Sequence, residues 1–352
     1  MVIGRDKIYY FALFLAIAAL GLCVISLSPA TAQEAGTAQN QSPPVEQPAD
    51  SASEAEPKDP NTPSPPSEQA EESPGDPNLP TQSSSASDKD EDSMLPVNNS
   101  MAELSEYFSR IFTDPFVTDA GQVDYAMLRR KRTDLMNAVR TLETLHPAVL
   151  MSLSREQRIA FWINTYNVCT LKLIIDNYPI QAKWYMILYP SNSIMQIPGA
   201  WDKVFFKVMG LEYTLKEMRN ELLLDRYKDP RICFALSDAA LGGAILRNEP
   251  IQTEKLQEQL DDQVRRYLKS PQGFRLDADN NIIYLSNVFV MNKDVFLASE
   301  YASILKFRAR KPEERAWLNF LFKYLPPQEA TYLDSHDVTI RFIDFNWTLN
   351  EK

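Results

Sequence analysis

Histidine is almost missing from this chain. His146 and His336 are the only two in 352 residues. No pair of histidines stands at helical spacing, which excludes the helix-borne zinc sites that need one. Cysteine is nearly as scarce. Cys23, Cys169 and Cys233 are the only three, and no Cys-x-x-Cys occurs. Only Cys169 and Cys233 fall in the part that reads as folded. Two cysteines do not make a disulfide framework, although a single bond between them stays open. There is no Gly-x-Ser-x-Gly, so the strand-to-helix elbow of serine hydrolases is absent. Gly242-Gly243 lacks the further glycines of a nucleotide-binding loop, and reads as a turn or a close backbone approach. Asp277-Ala-Asp-Asn-Asn281 lacks the fixed glycine and closing glutamate of a calcium loop, and reads as a turn. These absences leave no metal and no cofactor to expect.

An excess of positive charge is missing too. The chain has 36 basic and 47 acidic residues, a formal net charge of −11. The imbalance is local. Residues Gln33 to Pro96 hold 14 acidic and 2 basic residues, a net of −12. From Asn99 to Lys352 the count is 32 of each sign. The folded part is therefore neutral, and the low isoelectric point says nothing about a site. Without a basic stripe or a stacking module, nucleic acid is not an expected partner.

What is present starts with an export signature. Arg5 and Lys7 precede an uncharged run from Ile8 to Leu27, and Ala30-Thr31-Ala32 follows as a small-x-small cleavage site. Residues 1–32 thus read as a signal peptide or, since twenty uncharged residues also span a bilayer, as a retained N-terminal anchor. Either way the rest is expected to be extracytoplasmic, periplasmic or secreted, with any membrane association through the N-terminus. Residues 33–98 read as a disordered acidic linker rich in Pro, Ser and Glu. Residues 99–352 read as one globular domain, with no second linker to divide them.

The densest signal in that domain is Phe161-Trp-Ile-Asn-Thr-Tyr-Asn167. Ser154-Arg-Glu-Gln157 upstream is a capping box that opens a helix. Asn164 and Asn167, three apart, share one helical face. Ile159, Trp162, Ile163, Tyr166, Leu173 and Ile174 stripe another, so the helix is expected to be buried. A buried amide needs fixed partners, whether structural or in a site. The expected partners lie near Ile232–Leu236.

Other elements follow from periodicity and punctuation. Helices are expected over Ala102–Ile111, Leu128–Thr144, Ser154 to about Asn177, Thr214 (a second capping box) to Tyr227, Glu254–Leu268 and Glu313–Tyr324. Strands are expected over Val204–Val208, Arg231–Leu236 and Val338–Phe345, with a hairpin joining Phe274–Leu276 to Ile282–Leu285. Trp184 to Ala200 reads as an aromatic loop. The order suits an α+β fold: a single, mainly helical domain with a small, partly antiparallel sheet.

The motifs carry a resemblance. Val123-Asp-Tyr-Ala-Met-Leu128, Ala160 to Asn167, Asp229-Pro-Arg-Ile-Cys-Phe-Ala-Leu236, Leu256–Leu268, Ile282–Phe289 and Asp344 to Asn350 come in the order of the DUF547 family, a domain of unknown function. The chain resembles that family over about residues 120–350. It also departs from it. The family pattern has His-Phe-Ala-Leu-Asn-Cys and then Ser-Cys-Pro, where this chain has Cys233-Phe-Ala-Leu-Ser-Asp238 and then Leu241-Gly242-Gly243. A Glu-His pair in the preceding helix is replaced by Arg219-Asn220. The resemblance implies a thiol–imidazole site whose polar members are largely replaced here.

The candidate cleft or structural polar residues are Asn164, Tyr166, Asn167, Asp238 and Arg247, with Arg247 placed to pair with Asp238. Catalytic residues are not assigned, and Cys169 and Cys233 read as buried structural thiols. The expected function is an exported binding or scaffold domain of unknown ligand, a degenerate enzyme-like fold for which a peptide or envelope component stays open as the ligand. The alternative is a cell-envelope hydrolase or transferase acting on peptide or envelope material.

Overall fold

A computed structural model describes residues 91–352, with side chains from Ser100 onward. The described residues belong to one compact unit, Thr81–Lys352. Residues 1–32, expected to direct export, and the expected linker up to residue 90 lie outside the described residues.

The first helix, α1 (Glu91–Ile111), starts well before Ala102, inside the segment whose composition reads as linker. The expected helix over Leu128–Thr144 is two pieces, α2 (Tyr125–Arg130) and α3 (Thr133–Thr144). The Asp124 carboxylate accepts from the Met127 backbone N–H at 2.7 Å and starts α2 earlier than Leu128. A short α4 (Pro147–Ser152), with proline at its first position, leads into α5 (Arg155–Asn177).

The centre of the domain is α5. Its capping box is complete: the Ser154 hydroxyl accepts from the Gln157 N–H, and the Gln157 side chain accepts from the Ser154 N–H at 2.7 Å. From Ile159 to Leu171 every side chain is buried. Ile163 and Ile174 are wholly excluded from solvent, and each such burial contributes about 1.5–3 kcal/mol. Helices α2 and α3 pack against α5 on one side.

A hairpin of β1 (Phe205–Val208) and β2 (Leu211–Thr214) turns at Met209 and Gly210, both with positive φ, as a tight two-residue hairpin requires. The second capping box is also complete, with Thr214 accepting from the Glu217 N–H. It opens α6 (Leu215–Arg219), which widens through a π-turn at Asn220–Leu224 into α7 (Asp225–Tyr227).

Arg231–Leu236 is not the expected strand. Pro230–Phe234 forms a 3-10 helix, because Asp229 accepts from the Arg231 N–H at 3.0 Å and Pro230 fixes the first helical φ. The apolar run was compatible with a buried strand or a buried helical turn, and the Asp-Pro start decides.

Beyond an irregular loop comes α8 (Leu256–Lys269). The C-terminal sheet has β3 (Phe274–Asp277) antiparallel to β4 (Ile282–Ser286), and β4 parallel to β5 (Thr339–Ile343). Between β4 and β5 lie α9 (Asn287–Met291), α10 (Lys293–Leu297), α11 (Pro312–Tyr324) and α12 (Pro327–Ser335). An aromatic cluster joins α11 to the 3-10 turn and to α9 and α10. Phe320 stacks on Phe234 at 5.7 Å between centroids and meets Phe296 edge-on at 5.1 Å. Such pairs contribute about 0.5–1.5 kcal/mol beyond burial. The fold is therefore α+β, mainly helical, with two small sheets.

Residues 349–352 return to the start of the domain. The Asn350 side chain accepts from Tyr125 Oη at 2.6 Å and donates to the Gly121 carbonyl at 3.0 Å. The Val123 N–H donates to the Asn350 carbonyl at 2.8 Å, and the Lys352 N–H donates to the Val123 carbonyl at 3.0 Å.

Candidate functional site

Asn164 and Asn167 lie on one face of α5, as the spacing requires, and both are buried. Each holds a stretch of backbone by two bonds. Asn164 donates to the Ile251 carbonyl at 2.8 Å and accepts from the Ile251 N–H at 2.9 Å. Asn167 donates to the Ala235 carbonyl at 2.9 Å and accepts from the Ser237 N–H at 2.9 Å. Asn167 thus meets the segment expected for it, whereas Asn164 reaches further along the chain to Ile251.

Two more buried carboxamides face the same loop from α8. Gln263 donates to the carbonyls of Phe234 and Ile245, at 2.9 and 2.7 Å. Gln259 donates to the Pro250 carbonyl at 3.1 Å and accepts from the Gln252 N–H at 2.7 Å. Residues 235–252 have no regular ladder of their own, so these side chains supply the partners that buried backbone groups require. Gln259 and Gln263 were not among the sequence candidates. Their signal was legible: two amides four residues apart within the apolar stripe of Leu256, Leu260 and Val264.

Asp238 and Arg247 do not pair. Asp238 instead accepts from Arg219 at 3.0 Å, and Arg219 also donates to Asn292 Oδ1 at 3.1 Å. Arg247 has nearer carboxylates, Glu249 two residues away and Asp262 on α8, and it binds both. The Arg219–Asp238 pair is deep, with side chains 13% and 6% exposed. Burial raises the Asp238 carboxyl above its ordinary pKa, with Arg219 pulling it back. Tyr166 is fully buried against this pair, with its hydroxyl among Asp238, Arg219 and Thr170. Burial and the Asp238 charge both raise its pKa, so it stays a neutral phenol. Arg219 stands at the entry to the π-turn, a local widening often found where a helix carries a special side chain.

Gly242 confirms the close backbone approach expected of the glycine pair. A Cβ there would lie 2.5 Å from the Asn346 backbone nitrogen. The Gly242 N–H donates to the Asn346 carbonyl at 2.8 Å, and Tyr267 Oη donates to the Gly242 carbonyl at 2.7 Å.

Cys169 and Cys233 are free and buried. Burial pushes each thiol up to about 12, opposed by Lys172 at Cys169 and by Arg219 at Cys233. The histidines sit elsewhere. His146 caps α4, accepting from the Ala148 N–H at 3.2 Å, and His336 stacks on Tyr332 with ring centroids 4.0 Å apart. Among the described residues no group of three or more His, Cys, Asp or Glu is arranged to hold a metal.

Two recesses bear on ligand binding. Asn164, Asn167, Arg247, Glu249 and Ile251 line one of ≈ 10 Å³, about enough for a single water. The other, ≈ 280 Å³, is lined by Phe307, Arg310, Leu333, His336 and Asp337, and shares no residue with the first. Its charged groups are mutually paired, Arg310 with Asp337 and Lys306 with Asp334. The sequence candidates therefore form two adjacent buried assemblies, the amide clamp and the Arg219–Asp238–Tyr166 cluster, and neither is an open cleft.

No curated protein and no solved structure matches the chain. Residues 150–268, which span α5, the Arg219–Asp238 pair, the clamped loop and α8, match the family model described as "Protein of unknown function, DUF547", and this stretch is where the resemblance to that family is shown.

Proposed function

We propose that this is an exported binding or scaffold protein whose domain keeps an enzyme-like fold without a working thiol site. The observation that carries the reading is the Arg219–Asp238 pair, closed in the interior beside Cys233. A thiol nucleophile needs thiolate character, access and a base within reach. Cys233 is buried with a raised pKa, and neither histidine side chain is bonded to a cysteine. The ligand proposed is a peptide or an envelope component recognised on the outer surface, since the recess beside the amide clamp has room for about one water. The chemistry suits an extracytoplasmic place: a neutral domain behind an acidic spacer and an export-type N-terminus.

One observation favours the alternative, a cell-envelope hydrolase or transferase. The positive charge of Arg219 lowers the pKa of Cys233, so an opened form would hold a more reactive thiol there. Two measurements decide. Fractionation of producing cells should place the chain outside the cytoplasm, and a cytoplasmic soluble product would refute export. Iodoacetamide with peptide mapping should leave Cys169 and Cys233 unmodified in the folded chain and label both after denaturation. Labelling of folded Cys233, together with loss of a measured release of peptide from envelope material, would replace the binding reading by the hydrolase one.

A further inference from the structure

The aromatic loop after α5 is built to display apolar side chains. Trp184, Ile187 and Leu188 are 87%, 82% and 84% exposed, and Tyr185 is 52% exposed. Single exposed apolar residues are ordinary, but a contiguous run of them marks an interaction surface. The loop is held from below. Buried Gln196 accepts from the Lys183 N–H at 2.7 Å and donates to the carbonyls of Met186, Tyr189 and Pro190 at 3.1–3.2 Å. Two backbone turns, Met186 N–H to the Lys183 carbonyl and Tyr189 N–H to the Met186 carbonyl, tighten it. Its base is fixed as well: Tyr189 meets Trp347 edge-on at 6.1 Å, and the Leu349 N–H donates to the Asn192 carbonyl. One buried carboxamide thus satisfies the backbone that would otherwise need the tip to fold inward.

Charge and composition point to what covers the tip. Residues 177–201 contain no Asp or Glu, and Lys183 is their only charge, in a chain of 47 acidic residues. Trp and Tyr beside aliphatic side chains and a lysine are what the boundary between headgroups and acyl chains selects. The same chain carries the uncharged Ile8–Leu27 run with its basic flank. We infer that the Trp184–Leu188 tip inserts into the interfacial layer of a lipid bilayer, with Lys183 among the headgroups. The inference rests on the proposed envelope location for its setting, and it makes the domain a module that lies on a membrane through its own surface.

The test uses the full chain with vesicles of phosphatidylcholine and phosphatidylglycerol carrying brominated acyl chains, which quench tryptophans that insert. Trp162 and Trp317 are buried and Trp201 and Trp347 are half-buried against the core, so the quenched emission is expected to come mainly from the exposed Trp184, and Trp184→Phe separates its share from theirs. Because the readout belongs to Trp184, insertion of Ile8–Leu27 into the same vesicle does not supply it. Quenching is expected to fall about threefold or more in Trp184→Phe and in Ile187→Ser/Leu188→Ser, with melting unchanged because the replaced chains are solvent-exposed. Trp184→Phe retains the loop should the double variant fold poorly. An unquenched Trp184, or quenching unaffected by Ile187→Ser/Leu188→Ser, overturns the inference. So does a dimer that dissociates in the double variant, which would make a second copy the occupant. A cytoplasmic location would sink the export proposal and leave a positive vesicle result standing. An unquenched Trp184 would do the reverse.

Discussion

Replacing Asn167 by leucine tests whether the amide clamp holds the domain together. The side chains are close in size, so the change removes hydrogen bonds more than volume. It strands the Ala235 carbonyl and the Ser237 N–H, both in buried residues. Each buried group left unpaired costs about 1–3 kcal/mol, or roughly 2–6 kcal/mol for two. The leucine regains part of this by burial, about 1.5–3 kcal/mol. A net loss of about 0.5–3 kcal/mol is expected. Urea denaturation of Asn167→Leu should therefore lower the midpoint with the slope unchanged. Asn164→Leu strands both backbone groups of Ile251 and should cost a similar amount. The two stand three residues apart on α5 and hold the same loop, so the double variant should depart from additivity by about 0.5 kcal/mol or more. Unchanged midpoints would refute the reasoning and return the amides to a ligand-binding role.

Two further predictions concern charge. Arg219→Met leaves the Asp238 carboxylate buried without its cation, and should destabilise by about 3–5 kcal/mol, while adding Asp238→Asn should recover a good part of that loss; equal midpoints for single and double variants would contradict a closed pair. The Asp261 carboxyl is raised by burial, but hydrogen bonds from Arg231 and Tyr324 more than offset this and leave its pKa below the ordinary value. Its stabilising contribution is present above the unfolded-state pKa, about 3.9, and is lost as pH falls through the lower folded one. Asp261→Asn should accordingly flatten the acid limb of stability against pH, and an acid limb as steep as in the parent chain would count against the assignment.

The parts legible in the sequence were those fixed by local chemistry. Both capping boxes form as their spacing requires, because each needs only residues three apart. The shared face of Asn164 and Asn167 follows from helical geometry alone. The family resemblance was legible because its motifs lie in order along the chain, and the match over residues 150–268 bears it out. What was not legible depended on competition between distant partners. Asp238 had two arginines to choose from, and Arg219 won because Glu249 and Asp262 already hold Arg247. Ile251 as the partner of Asn164 is 87 positions away, with no local pattern to announce it. The 3-10 turn at Pro230–Phe234 was misread as a strand because a short apolar run fits either element, although Asp229-Pro230 carried the deciding cue.

The stitching of residues 349–352 to Val123 has a consequence for the order in which the domain can form. The Asn350 bond to Gly121 spans 229 positions. Closing so long a loop is slow, since its entropy is lost before the contacts that reward it are made. A chain emerging from the ribosome can build α5 and its caps early, but Val123 and Tyr125 wait for their partners until nearly all of the domain has been made. Until then the domain stays open at this seam. If the proposed export is correct, that delay would keep the chain threadable while it is being translocated.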